Sequence, residues 1–111
     1  MTRSNLHIIL SNGKKIKCVA DSSSAPEQGY IVENLLLPLL EMTDTEKELK
    51  LIKEHCTMNQ QRSNATYRYE INLLTKRVSF FEESYNDGTG RFIRGQNITE
   101  RYDAYLISTK S

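Results

Sequence analysis

The side chains best suited to bind a transition metal are two histidines and two cysteines, His7, Cys18, His55 and Cys56. His55 and Cys56 are adjacent in a segment that is predicted to be helical, so their side chains diverge by about 100° and cannot chelate one ion together. His7 and Cys18 fall on opposite faces of the predicted first hairpin. We therefore expect no metal site and no bound cofactor.

Residues for covalent or acid–base catalysis are also poorly placed. Neither cysteine lies at a helix amino terminus, the position that activates a thiol. Glu82 and Glu83 are neighbours on a predicted strand, so they face opposite sides of a sheet and cannot act as a pair. The glycine spacing is not that of a dinucleotide-binding loop. We assign no catalytic residues and expect no enzyme; a pocket holding His7 or His55 beside a carboxylate would favour the opposite interpretation.

A β-hairpin is predicted at the amino terminus, and its register follows from the hydrophobic pattern. A three-residue loop at 11–13, with Gly13 in the left-handed conformation, pairs Ile8 with Ile16. A two-residue turn is rejected because it would slip the register by one residue and bring lysines onto the apolar face. The chosen register gathers one apolar face, which comprises Leu6, Ile8, Leu10, Ile16, Cys18 and Ala20.

Two helices are predicted to follow. The stretches Ser24–Glu27 and Thr43–Glu46 both have the spacing of a capping box, and the second helix is expected to run to about Met58. In the first helix the apolar side chains from Ile31 to Met42 span about 180° of the circumference, whereas a surface helix needs little more than about 100°. Pro38 should kink or split it. Such a helix is buried on two sides, by its own domain or by another chain.

The remainder of the chain alternates with the period of a β-strand. Two strands around an Asn72–Thr75 turn place Ile71 opposite Val78. Arg91–Arg94 forms a further short strand after a glycine-rich turn. Residues 97–107 fit either a helix or an edge strand, and the helix is favoured.

Together these elements predict a single α+β domain over residues 1–111, with the element order ββααβββ and a C-terminal helix. The length is that of one domain. An antiparallel sheet built from two hairpins is expected to pack against a helical hairpin.

Two surfaces are candidate binding sites. The apolar one combines the wide helix with leucines at a hairpin tip, where polar residues are usual, and it suggests a protein interface. Its residues are Leu36, Leu37, Leu40, Leu73 and Leu74.

The second candidate surface is a basic sheet face with an aromatic ring, the combination that single-stranded nucleic-acid binding uses. Its residues are Lys15, Lys17, Arg68, Arg77 and Phe81. The alternative is that these lysines only solvate the sheet while Arg68 stacks on Phe81.

Composition narrows the class of function. The net charge is +1 and the isoelectric point about 7.8, far below that of a strongly basic nucleic-acid-binding domain. No apolar run is long enough to span a bilayer, and two cysteines are too few for a disulfide framework. We expect a cytoplasmic, non-catalytic protein that associates with itself or with a protein partner. Single-stranded nucleic-acid binding is the alternative, and an uncharacterised enzyme the second alternative.

Overall fold

The computed structural model describes residues 2–21 and 24–109. Its strands are β1 (Ser4–Ile9), β2 (Lys15–Ala20), β3 (Thr57–Met58), β4 (Tyr67–Asn72), β5 (Arg77–Asn86) and β6 (Arg91–Asn97). Its helical elements are a 3-10 turn (Pro26–Gln28), a π-helical segment (Val32–Leu36), α1 (Leu37–Glu41), α2 (Thr45–His55) and α3 (Thr99–Thr109). The strands form one sheet in the order β3-β2-β1-β4-β5-β6, and the α+β class is confirmed.

The first hairpin has the predicted register. Ile8 lies opposite Ile16, and the Leu10 amide donates to the Lys14 carbonyl over 2.8 Å. Gly13 has a φ of +87°, the left-handed conformation that the three-residue loop requires. The predicted pairing of Ile71 with Val78 is also present. In both hairpins the alternation of apolar and polar residues was therefore sufficient to define the register.

The sheet is mixed, and this differs from the antiparallel sheet that was predicted. The two hairpins join through β1 and β4, which pair in parallel with Ile8 opposite Ile71. A parallel pair needs a long crossover between its strands, and here the intervening helices supply it. The helices pack on one face of the sheet, where they bury a core that includes Leu6, Leu10, Tyr69 and Phe80.

The second helix ends three residues before the predicted end. It stops at His55, and Cys56 is already extended, with φ −137° and ψ 155°. Thr57–Met58 instead form β3, which pairs with Val19 and Cys18 of β2. The free edge of β2 supplies backbone partners that a further helical turn would leave unused.

The first helix changes its hydrogen-bonding pattern just before Pro38, the residue at which a kink or a split was predicted. The π-helical segment precedes α1, and the Leu37 amide donates to the Val32 carbonyl. Pro38 has no amide hydrogen, so it cannot satisfy the carbonyl of Asn34. The Asn34 side-chain amide donates a 2.9 Å hydrogen bond to the Tyr30 carbonyl, four residues earlier in the same helix.

The wide apolar arc of this helix is covered mostly by its own domain. Ile31, Val32, Leu35, Leu36 and Leu39 are all buried. The sheet lies beneath them, α2 contacts one flank, and α3 reaches the other flank through a bond from the Tyr105 hydroxyl to Glu33. The prediction of burial on two sides named the second helix but not α3, which covers part of this arc together with the sheet and α2.

In both segments predicted to be capping boxes, the N-cap residue lies one position later than predicted. The side chain of Asp44, not of Thr43, accepts the Glu46 amide at the start of α2, at 2.9 Å. At the 3-10 turn the N-cap is Ala25, whose amide donates to the Gln28 side chain at 3.0 Å. Ser24 is not a cap, because its buried hydroxyl bonds with that of Ser4 at 2.8 Å.

The C-terminal helix that was favoured for residues 97–107 is present as α3. The Asn97 side chain accepts the Thr99 amide at 2.9 Å, which satisfies one free amide at the helix start. Tyr102 is buried against the core. Arg101 forms two bonds with the Glu27 carboxylate, at 2.7 and 2.9 Å, and so ties the helix to the 3-10 turn.

Glu48 is a buried carboxylate on α2 that holds the first hairpin. One of its oxygens accepts the Ser11 amide at 3.0 Å and the Ser11 hydroxyl at 3.1 Å. Its second oxygen is buried without a hydrogen-bond partner among the described residues. The contact therefore aligns the hairpin turn with α2 at the cost of one unsatisfied acceptor.

We predict that Glu48→Ala lowers the free energy of unfolding by about 2 kcal/mol, because it removes the acceptor of the half-buried Ser11 amide and leaves a cavity in place of a fully buried side chain. Glu48→Gln keeps the accepting oxygen and should lose much less. Glu54→Ala, at an exposed position of the same helix, is the matched control. Urea denaturation of the three variants measures the difference, and an Ala variant as stable as the control would contradict this role.

Candidate binding groove on the helix-free face

The second face of the sheet carries polar and charged side chains in rows that cross four strands. The register places Lys15 opposite Ile9, Ile9 opposite Asn72, and Asn72 opposite Arg77. The adjacent row, in the same strand order, is Lys17, His7, Glu70 and Ser79. We call this side the helix-free face, because the described helices pack on the other side.

A groove of about 780 Å³ lies over these two rows. Residues 59–61 form one wall, since the chain must cross β2 and β1 to pass from β3 to β4. Asn5 anchors this crossing: its side-chain oxygen accepts the Arg62 amide at 2.8 Å and its amide donates to the Arg62 carbonyl at 3.2 Å. Gln61 in turn approaches the His7 ring, with 3.0 Å between the two Nε2 atoms.

The groove has three cations that no carboxylate neutralises. Lys15, Lys17 and Arg77 are exposed, and none of the ion pairs formed by the described residues includes them. Glu70, the acidic residue of the groove lining, is paired with Arg68 at 3.5 Å and with Arg94 at 2.9 Å. The groove is therefore a positively charged site.

Arg68 and Phe81 lie on the same face, but they are not available to a ligand, and this corrects the predicted nucleic-acid surface. Arg68 is buried and binds both oxygens of Glu83, at 3.1 and 2.9 Å. Phe81 is only 7% exposed, with the Arg94 guanidinium 4.6 Å from its ring centre. Of the five predicted residues, the groove keeps Lys15, Lys17 and Arg77.

The sequence prediction considered Glu83 only together with its neighbour Glu82 and did not identify it as the partner of Arg68. Glu83 lies two residues beyond Phe81 on the same strand face, so the alternation alone places it near the helix-free face. Its side chain also accepts a bond from Asn5 at 3.0 Å. An acid two residues beyond an aromatic residue that faces an arginine is therefore the sequence signal for this pair.

His7 lies in the groove beside Glu70, the arrangement that would favour an enzyme, but the two do not form an acid–base pair. The Glu70 oxygens are engaged by Arg68 and Arg94, and the His7 ring contacts Gln61. Burial, and then the positive charges of Arg68 and Lys17, lower the pKa of His7. His7 is thus a neutral ring at neutral pH in a positively charged groove.

The predicted apolar interface is reduced in the structure. Leu36 and Leu73 belong to the buried core, and this corrects their assignment to a surface. The Leu73 amide donates to the Ile9 carbonyl at 2.9 Å, which extends the β1–β4 pairing into the turn. Leu40 is half-buried, while Leu37 is 37% and Leu74 59% exposed.

Three further features bear on function: possible metal ligands, the cysteine thiols and the length of the helices. Within residues 2–21 and 24–109 no three side chains of His, Cys, Asp or Glu are grouped as a metal site. A hydrogen bond with Cys56, together with burial, raises the pKa of the Cys18 thiol. The described helices include none with the length and apolarity that a bilayer crossing requires.

Comparison with other proteins gives no further assignment: no protein-family model, curated protein or solved structure matches this chain.

We predict that His7 makes the folded protein less stable at mildly acidic pH. The unfolded chain takes up this proton near pH 6.5 and the folded chain only at lower pH, so unfolding is coupled to proton uptake. The free energy of unfolding should therefore fall as the pH drops below about 6.5. Chemical denaturation at several pH values measures this slope.

The control compares two histidine variants. His7→Gln should flatten the slope between about pH 6.5 and pH 5, whereas His55→Gln should retain it. Equal slopes in His7→Gln and the unmodified protein would show that His7 is not the group responsible.

Proposed function

We propose that this chain is a non-catalytic binding protein whose groove on the helix-free face takes an extended acidic segment of a protein partner. The observation that carries the proposal is the set of three unpaired cations, Lys15, Lys17 and Arg77, around a groove whose carboxylate is already neutralised. Complementary charge of this kind sets the choice of partner and its rate of association.

The spacing of the cations fits a short extended peptide. Lys15 and Arg77 are at the two ends of one row and are separated by three strand spacings, which is about 14 Å. An extended chain rises about 3.3 Å per residue, so four or five residues bridge the two cations. Arg77 suits a carboxylate in particular, because a guanidinium donates two parallel hydrogen bonds to it.

The walls of the groove suit a peptide backbone. Asn59, Gln60 and Gln61 on one side and Asn72 in the floor carry amide side chains. Each amide both donates and accepts hydrogen bonds, as peptide N–H and C=O groups require. The half-buried Ile9 between Lys15 and Asn72 adds an apolar contact in the middle of the row.

Single-stranded nucleic acid is the alternative occupant, and the geometry supports it less. Base stacking on an aromatic ring contributes about 1–3 kcal/mol per base in such proteins. Here Phe81 is covered by Arg94 and Arg68 is neutralised by Glu83. The three remaining cations give phosphate attraction without a stacking platform.

We predict that reversing a charge in the groove weakens the binding of an acidic peptide. The probe is a fluorescent peptide of about eight glutamates, long enough to cover the row. Lys15→Glu and Arg77→Glu should each weaken binding at least about tenfold. Lys50→Glu, which makes the same change of net charge on the exposed side of α2, should have little effect. Fluorescence anisotropy measures all three.

The same titration separates the alternatives. A peptide of glutamines should not bind, and an oligothymidylate of similar length should bind more weakly than the glutamate peptide. Tighter binding of the oligothymidylate would show that the ligand of the groove is nucleic acid and not an acidic peptide. Equal losses in Lys50→Glu and Arg77→Glu would show that net charge, and not this groove, determines binding.

We also predict that acidic-peptide binding strengthens as the pH falls from 7 towards about 5. A carboxylate in the groove favours the protonated form of His7, so binding and proton uptake are coupled. The effect ends near pH 4.3, where the glutamates of the ligand lose their charge. His7→Gln should remove the pH dependence above pH 5; affinity that still rises in this variant would contradict the coupling.

A further inference from the structure

The two edges of the sheet differ in how well they are closed. On one side β3 contains only two residues, and the adjacent Lys17 carbonyl of β2 accepts the Asn59 amide at 2.8 Å. On the other side β6 extends over seven residues, and no strand of the described chain lies beyond it. A long open strand presents unpaired amides and carbonyls to any chain that can pair with it.

A bulge protects only the end of β6, because Gly95 and Gln96 there stand against Glu82 alone. The regular part before the bulge, Arg91–Arg94, has no proline and no lysine, and its Ile93 is 48% exposed. Lysine and proline are among the devices that keep an edge strand from pairing with another chain. The two arginines of β6, Arg91 and Arg94, lie at unequal distances from Ile93. Whether their charges repel an identical strand therefore depends on the register in which the two strands pair.

The backbone direction along β6 identifies the groups that are free to pair. The Glu83 amide donates to the Thr66 carbonyl at 3.1 Å, so Glu83 directs its backbone towards β4 and the next residue, Ser84, towards β6. Ile93 lies opposite Ser84 and therefore directs its own backbone towards β5. In an antiparallel ladder successive residues direct their backbone groups to opposite neighbours. Phe92 and Arg94 therefore direct their amides and carbonyls outward.

We propose that a second copy of this chain pairs with β6 in antiparallel orientation, with Ile93 opposite Ile93 at a two-fold axis. In this register the outward groups of Phe92 in one copy meet those of Arg94 in the other. The two Ile93 residues form a pair without mutual backbone bonds, where opposite side chains are closest.

The side chains support this register over the neighbouring one. Arg94 carries a guanidinium fixed by Glu70 at 2.9 Å, and it would lie opposite the Phe92 ring, which packs on Tyr85 at 4.8 Å. A two-fold axis at Arg94 would instead place two guanidinium groups directly opposite, which is destabilising. The self-complementary register covers the exposed Ile93 and separates the like charges.

Cysteine cross-linking tests the register. Ile93→Cys, incubated with oxidised glutathione, should form a covalent dimer, because the opposite Cα atoms of such a pair lie about 4.5 Å apart, within disulfide range. Two protein thiols are oxidised while glutathione disulfide is reduced to two thiols. Ile107→Cys, at a position that is 70% exposed on α3, is the control for random cross-linking through new or native cysteines.

Sedimentation equilibrium tests the association itself. The unmodified protein should be in a concentration-dependent monomer–dimer equilibrium, and Ile93→Lys should weaken dimerisation at least about tenfold, with Ile107→Lys unchanged. An unmodified protein that stays monomeric up to about millimolar concentration, or equal cross-linking of both cysteine variants, would overturn the proposal. Dimerisation without binding of acidic peptides would leave it intact while removing the proposed function, since the two surfaces differ.

Discussion

The parallel pairing of β1 with β4 is the constraint on which the rest of this structure depends. It joins two hairpins that are otherwise local units, and it places Ile9 between Lys15 and Asn72. It also requires the chain to cross β2 and β1 after β3, which creates the wall at residues 59–61. Without this pairing the cations of β2 and β5 would not belong to one surface.

Charge on the helix-free face is divided between a closed part and an open part. Arg68, Glu83 and Asn5 form a buried network beneath the crossing segment. Breaking such a buried pair typically costs about 3–5 kcal/mol, so these residues are fixed in structural roles. The open part retains Lys15, Lys17 and Arg77, whose charges are free to meet a ligand. The same face thus has a buried structural half and an exposed cationic half, and the second is the proposed binding site.

Local patterns predicted much of this fold. The apolar alternation was enough for both hairpin registers, because a slip of one residue would expose Leu6 and Ile8 and bury lysines. The wide arc of the first helix correctly indicated burial on two sides. It did not reveal which elements cover it, since the flanking contact of α3 joins residues far apart in sequence, such as Tyr105 and Glu33.

The features that were missed are non-local. The parallel β1–β4 contact and the two-residue strand β3 depend on which edges are free after the hairpins form, and residue types do not encode that. The site was predicted in part for the same reason: Lys15, Lys17 and Arg77 were identified by charge and face. Arg68 and Phe81 do not belong to the site because each is covered by a partner from elsewhere in the sheet. Glu83 of β5 binds Arg68, and Arg94 of β6 lies over the Phe81 ring.

The most direct test of the proposed function is nuclear magnetic resonance mapping of the binding surface. An acidic peptide titrated into nitrogen-15-labelled protein should shift the backbone amides of Lys15, Lys17, Asn72 and Arg77 and leave those of α2 and α3 unchanged. Shifts confined to the helical side, or none on the helix-free face at saturating peptide, would contradict the assignment of the groove as the binding site.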